Sequence, residues 1–384
     1  MQDDAHPVAG HASSRDTPGR VGLELAGEGA LKLTTYFGER DRTESGRLLG
    51  DELLDLYAAH RMRASVLMRG AAGFGRLRHL RTDRLLTLSE DLPVVSLAVD
   101  RRERIEAMLE RVMQIKRRGL VTLERARLLE GEPGAMRLPI ELGGTIKLTI
   151  YVGRRERVRR TPAFVAVTEL LHRHGIAGAT VLLGVDGVRC GRRTRATFFA
   201  RNGEVPMMIV AVGAGERIAG LLPEISAQLA RPLLTLERVR VCKRDGRLLA
   251  APHELPGTDV HGLALWQKLM IYTSQGATHE GHPLNVQIIR RLRESDAAGA
   301  TSIRGVWGFH GDHAPHGDRL LQLRRHVPVV TIAIDSPERI GRSFQIVDEL
   351  TSEHGLVTSE MVPAMAAIGD AESRGGLRLA DYRF

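Results

Sequence analysis

One pattern governs what this chain can fold into: the same order of short markers runs through it three times. Lys32-Leu33-Thr34-Thr35-Tyr36 recurs as Lys147-Leu148-Thr149-Ile150-Tyr151 and as Lys268-Leu269-Met270-Ile271-Tyr272. Each copy continues with a helix-period stretch and a β-branched segment ending in glycines: RGAAGFG (69–75), LGVDGVRCG (183–191) and RGVWGFHG (304–311). Proline-led segments follow at Pro93, Pro206 and Pro328, then Glu103-Arg104-Ile105, Glu216-Arg217-Ile218 and Glu338-Arg339-Ile340. The copies close with LVTLE (120–124), LLTLE (233–237) and LVTSE (356–360), so marker lysine and closing glutamate keep near-constant spacing. A repeat of this kind makes the 384 residues an array of three units rather than one domain. The expected boundaries are 30–128, 145–241 and 265–363. Around them lie a Gly-, Ser-, Asp- and Pro-rich segment, 1–29, expected to be disordered, and a tail, 364–384.

Each unit reads as β-α-β-β-α-β. In the first, 31–37 is a short apolar strand, and 44–60 carries Leu48, Leu49, Leu53, Leu56 and Tyr57 at helical spacing. Residues 62–69 and 92–99 are strand-like. Ile105, Met108, Leu109, Val112 and Met113 form one face of a helix over 101–117, with Gly119 expected as its C′ residue. Two helices on one face of a mixed sheet predict a ferredoxin-like arrangement, and the prolines sit at strand starts, where a missing N–H is tolerated. The linkers, at about 129–144 and 242–264, can cross a small domain at up to ~3.5 Å per residue. The three units can therefore close into a ring.

The segments KLTTYFGE (32–39), ASVLMRGAAGFG (64–75), LSEDLPVV (88–95) and VDRRERIEAML (99–109) resemble the domain-of-unknown-function family 190, which is similar to the PII signalling proteins. The resemblance is strongest in the first unit and weakest in the second. It implies an α+β chain of three tandem ferredoxin-like, PII-like domains forming an intramolecular pseudo-trimer. It also implies a regulator rather than an enzyme, binding an adenine nucleotide or another small anion between units. The long loop after the second strand would then touch a target such as a membrane transporter, with a fluoride exporter as one implied partner.

Several residues carry chemistry suited to such a site. Gly70, Gly73 and Gly75, matched by Gly305, Gly308 and Gly311 and loosely by Gly184, Gly187 and Gly191, either cradle a phosphate with backbone N–H groups or simply turn the chain. Three of the chain's five lysines, Lys32, Lys147 and Lys268, fall at one equivalent position in a protein that otherwise uses arginine. A compact ammonium holding an anion, an inter-unit contact, or a strand-start lysine with a packed stem would each explain them. Arg125 and Arg127, matched by Arg238 and Arg240, alternate along a strand and suit bidentate phosphate binding; Met361-Val362-Pro363 replaces them in the third unit. The connection before the last strand shrinks to Arg117-Arg118-Gly119, and no Gly-x-x-x-x-Gly-Lys-[Ser/Thr] occurs, so the cradle suits a smaller anion than the PII pattern implies. His310, His313 and His316, with His279, His282 and Asp312 nearby, offer an alternative reading as a CutA-like binder of a divalent metal.

Composition narrows the classes further. A net charge of +9 raises nucleic acid as a partner, but the arginines are spread along the chain and interleaved with acids, which counts against it. No apolar run approaches a membrane span and no leader is visible. The two cysteines, Cys190 and Cys242, fit a reducing, cytoplasmic compartment. No Gly-x-Ser-x-Gly or His-Glu-x-x-His is present. The expectation is a cytoplasmic, non-enzymatic, single-chain pseudo-trimer.

Overall fold

A computed structural model describes residues 29–75, 79–82, 91–116, 118–132, 134, 136, 143–189, 191–195, 205–310, 315–317, 327–369 and 373–382. The expected disordered segment lies outside them apart from residue 29.

The first unit comprises β1 (Ala30–Gly38), α1 (Leu49–Ala59), β2 (Ala64–Arg69), β3 (Ala72–Phe74), β4 (Pro93–Arg101), α2 (Arg102–Ile115) and β5 (Gly119–Glu130). The second comprises β6 (Thr145–Gly153), α3 (Ala163–Arg173), β7 (Gly178–Leu183), β8 (Asp186–Arg189), β9 (Pro206–Ala214), α4 (Gly215–Ala227) and β10 (Leu233–Arg244). The third comprises β11 (Trp266–Ser274), α5 (Leu284–Glu294), β12 (Ala300–His310), β13 (Pro328–Asp335), α6 (Pro337–Leu350) and β14 (Leu356–Val362), and β15 (Ala364–Ile368) follows. Within the first unit β1 lies between β4 and β5, and β2 borders β4, all antiparallel. The other units repeat this order.

Two expectations about element ends change. The first helix begins at Leu49, not near residue 44, because Gly46 at φ 79° and an Arg42–Leu48 bridge hold the preceding residues in a turn. Gly119 does not cap α2, which ends at Ile115. Its φ of 102° starts β5 so close to β1 that a Cβ there would lie 2.2 Å from the Tyr36 carbonyl oxygen. The three prolines do open their strands.

The units are not separate beads. The last strand of each pairs inside its unit over its first half and with the next unit over its second. Thus Arg127–Glu130 of β5 pair with β10, Arg240–Arg244 of β10 with β14, and Ala364–Ile368 with the start of β5. A second cycle runs the opposite way: β8 pairs with β2, β12 with β7, and β3 with β12. The expected picture of three ferredoxin-like domains is thereby modified, because among the described residues twenty strands join in one continuous sheet. Burial follows the same logic. One apolar cluster, including Val66, Tyr151, Met208, Tyr272 and Val330, is shared by all three units. Between sheet and helices each unit has a core of its own that accepts neighbours: Val188 and Ala364 enter the first, Leu129 and Phe309 the second, Phe74 and Cys242 the third. The tail continues this pattern, with residues 374–376 pairing against β15 and the Ala380 carbonyl accepting from Arg125 Nη2 at 2.7 Å.

The repeated Glu-Arg pairs also find a physical reason. Glu103, Glu216 and Glu338 sit in the first turns of α2, α4 and α6, where negative charge suits the macrodipole. The neighbouring Arg104, Arg217 and Arg339 donate to the carbonyls of His60, Gly175 and Asp296, closing the end of the unit's other helix.

Candidate functional site at the unit junctions

The register that aligns β1 with β5 sets Lys32 opposite Glu124, and the equivalent pairings set Lys147 opposite Glu237 and Lys268 opposite Glu360. The intra-unit ion pairs measure 3.1, 3.2 and 2.8 Å. Each ammonium also binds a neighbouring unit's carboxylate: Lys32 with Glu237, Lys147 with Glu360, Lys268 with Glu124. The six groups therefore alternate in a closed ring, every member at most 7% exposed. Burial opposes ionisation of Glu124, but Lys268, Lys32 and Lys147 outweigh it and hold its carboxyl well below the usual range; Lys147, Lys268 and Lys32 do the same for Glu360. Burial likewise opposes the charge on Lys32 and Lys268, and the surrounding carboxylates raise both above an ordinary lysine. At Lys147 burial outweighs the carboxylates and lowers the pKa. Its place between two carboxylates nonetheless assigns it the ammonium form. Three glutamate oxygens lie within 4.8 Å of one another, and the three ammonium groups neutralise them.

The structure thus brings the three lysines together, in an inter-unit ring whose other members are the glutamates that close each copy of the repeat. The signal was available: the closing Glu keeps a near-constant distance from the Lys in every copy.

The glycine-rich turns lie where one unit's chain crosses the next. A Cβ on Gly73, Gly187 or Gly308 would stand 2.7, 2.3 or 2.3 Å from the backbone oxygens of Ala300, Ser65 and Ala179, each in a neighbouring unit. A Cβ on Gly70 or Gly305 would meet Pro93 or Pro328 at 2.7 or 2.8 Å. The repeated glycines and prolines are therefore two sides of one close crossing. A Cβ on Gly75 would meet nothing within 4 Å, and Gly311 is outside the described residues. Arg125 holds the tail, and Arg240 donates to the Ala251 carbonyl at 3.3 Å. Arg127 is half-buried and Arg238 exposed. His310 lies 3.8 Å from Asp245, His316 pairs through its backbone with Gly308, and His313 is outside the described residues.

The other two lysines are buried as well. Lys116, 2% exposed, donates to the Tyr36 carbonyl at 2.9 Å and lies 5.2 Å from the Phe37 ring centre. Burial pushes its amine down to about 7, against a smaller upward pull from Asp41. The unfolded lysine keeps its proton to about pH 10.4. Between about 7 and 10 the unfolded state therefore binds more protons, and stability rises with pH. Urea titrations at pH 7, 8 and 9 should show this rise in the natural chain and a flatter one in Lys116→Met; equal slopes in both would refute it.

At each junction, the loop after one unit's second strand lies on the first helix of its neighbour. Between units 1 and 2 the contact is sealed by charge. Arg193 reaches Asp51 at 3.1 Å, Asp186 at 2.6 Å and also Asp55, while Arg195 reaches Asp51 at 2.9 Å. On the second unit, bordered by Pro315 of the third, an open groove of about 790 Å³ stands instead, lined among others by Arg157, Arg159, Thr161, His172 and Arg173.

These features define a chain of three α+β units joined cyclically by strand exchange and a buried ion-pair ring. The sequence profile of DUF190, described as Uncharacterized ACR, COG1993, matches residues 30–128, 145–241 and 266–364. The chain belongs to this family. It is also similar to a UPF0166 protein of Aquifex aeolicus (strain VF5), 35% identical over 95 residues, which span 24% of this chain and 88% of that relative. Among the described residues no helix is long and apolar enough to cross a membrane.

Proposed function

We propose that the chain is a PII-like regulatory protein: three ferredoxin-like units in an intramolecular pseudo-trimer that hold a small anionic ligand between units and signal through the loops after their second strands. The observation that carries this reading is the cyclic exchange, because it lays those loops on neighbouring units at the junctions. A ligand in a junction would touch a helix of one unit and the loop of another, so occupancy would bias loop position. The relative about one unit long supports reading three fused copies as one assembly, and fusion replaces association with a high effective concentration. An adenine nucleotide is the first candidate ligand and a membrane transporter the first candidate partner. The role is binding rather than catalysis.

Thermal unfolding of the purified chain with ATP, ADP, AMP, cyclic AMP or cyclic di-AMP tests this. A ligand bound only by the folded state stabilises it by about 2.7 kcal/mol at a hundredfold excess over Kd. A rise in Tm with one of them is expected. If none of these nucleotides and no simple polyanion moves Tm, the reading is lost, and a rise with Zn²⁺ alone would replace it with metal binding.

A further inference from the structure

We infer that the groove on the second unit, bordered by Pro315 of the third, is a binding site for a compact polyanion, carrying several phosphate or carboxylate groups. This deepens, and rests on, the reading of the chain as an anion-responsive regulator.

The argument is a comparison of equivalent positions. Counted from the first helical residue, Asp51, Glu52 and Asp55 of α1 correspond to Val165, Ala166 and Glu169 of α3. In the first helix these acids meet arginines: Asp51 and Asp55 meet Arg193 of the second unit's loop, and Glu52 meets Arg47 at 2.7 Å. In the second, two of the three acids are gone and the basic groups are on the helix side. Arg157 and Arg159 come from the turn before α3, His172 and Arg173 from its last turn. Three guanidinium groups and one carboxylate, Glu169, thus line the groove.

The third unit also reaches this groove. It contributes Pro315 to the wall and packs Phe309 edge-on against His172, with ring centres 4.9 Å apart. Arg157 donates to the Arg160 carbonyl at 2.6 Å, and neither Arg159 nor Arg173 pairs with a carboxylate among the described residues. In the third unit α5 also lacks the acids, with Val286, Gln287 and Arg290 at these positions, but Arg290 and Arg291 pair with Glu294 and Glu349 at 2.9 and 3.3 Å. Guanidinium groups with no carboxylate partner among the described residues, set around a concave space, suit bidentate anion capture, and the volume lies within the usual range for small-molecule sites.

Calorimetric titration of the full chain with tripolyphosphate and with citrate tests the site and separates the two anion types. Binding of at least one is expected, weakened about tenfold or more in Arg157→Gln and in Arg173→Gln. Ala166→Glu, which restores the acid found at Glu52, should abolish it while leaving the melting curve of the free protein nearly unchanged. Binding of either anion that is indifferent to all three variants would overturn the site but leave the regulator reading in place. No binding by tripolyphosphate, citrate or any nucleotide would overturn both.

Discussion

Lys147→Met is expected to lower the unfolding free energy by about 3–5 kcal/mol, because it leaves two buried carboxylates facing one another's charge without the ammonium between them. Glu360→Gln on the same background should recover part of the loss by removing one of those charges. Chemical denaturation of the two variants checks the pair, and the ring's role fails if the single variant loses less than the double. The pH dependence has a definite sign. Glu124 and Glu360 are held below the usual carboxylate range, so their stabilisation is fully present above the unfolded value, about 4.3, and is lost as pH falls through the lower folded values. Since each carboxylate contacts lysines of two units, the loss should appear in all three units together rather than in one.

Gly187→Ala should cost about 1–3 kcal/mol and loosen the contact between the first and second units. Its Cβ would lie 2.3 Å from the Ser65 carbonyl oxygen and 2.4 Å from Pro206 Cγ, neither the end of a flexible side chain. Gly220→Ala is the control, since a Cβ there meets nothing within 4 Å and its helix should gain slightly. Hydrogen exchange of Ala64–Arg69, the strand paired with β8, would report the local effect. Unchanged exchange and unchanged stability in Gly187→Ala would refute the close crossing.

Much of this was legible in the residues and some was not, for reasons that can be located. The repeat and the strands opening at Pro93, Pro206 and Pro328 were read directly, because strand propensity and apolar period are local properties. The ring was half visible. Three coincident lysines stood out against an arginine-rich background, but Lys32 binds Glu237, 205 residues away, a contact that exists only once the units close on one another. In the sequence the glycines and prolines stand apart, and only the crossing of two chains explains why they recur together. At the second junction one signal is an absence, Val165 and Ala166 where the first helix has Asp51 and Glu52, which α5 shares with Val286 and Gln287. An absence gains meaning only beside the arginines that the fold places around it.

The covalent joining of the three units changes what a substitution can do. In an oligomer of identical subunits every change is copied to all equivalent positions, so a junction cannot be altered without altering the others. Here Arg193 locks one junction onto Asp51 while beside the next a groove carries Arg157 and Arg173, and the buried ring keeps the same charge order throughout. Linking the copies frees them from symmetry: the shared frame can be held constant while one interface alone acquires a chemistry of its own.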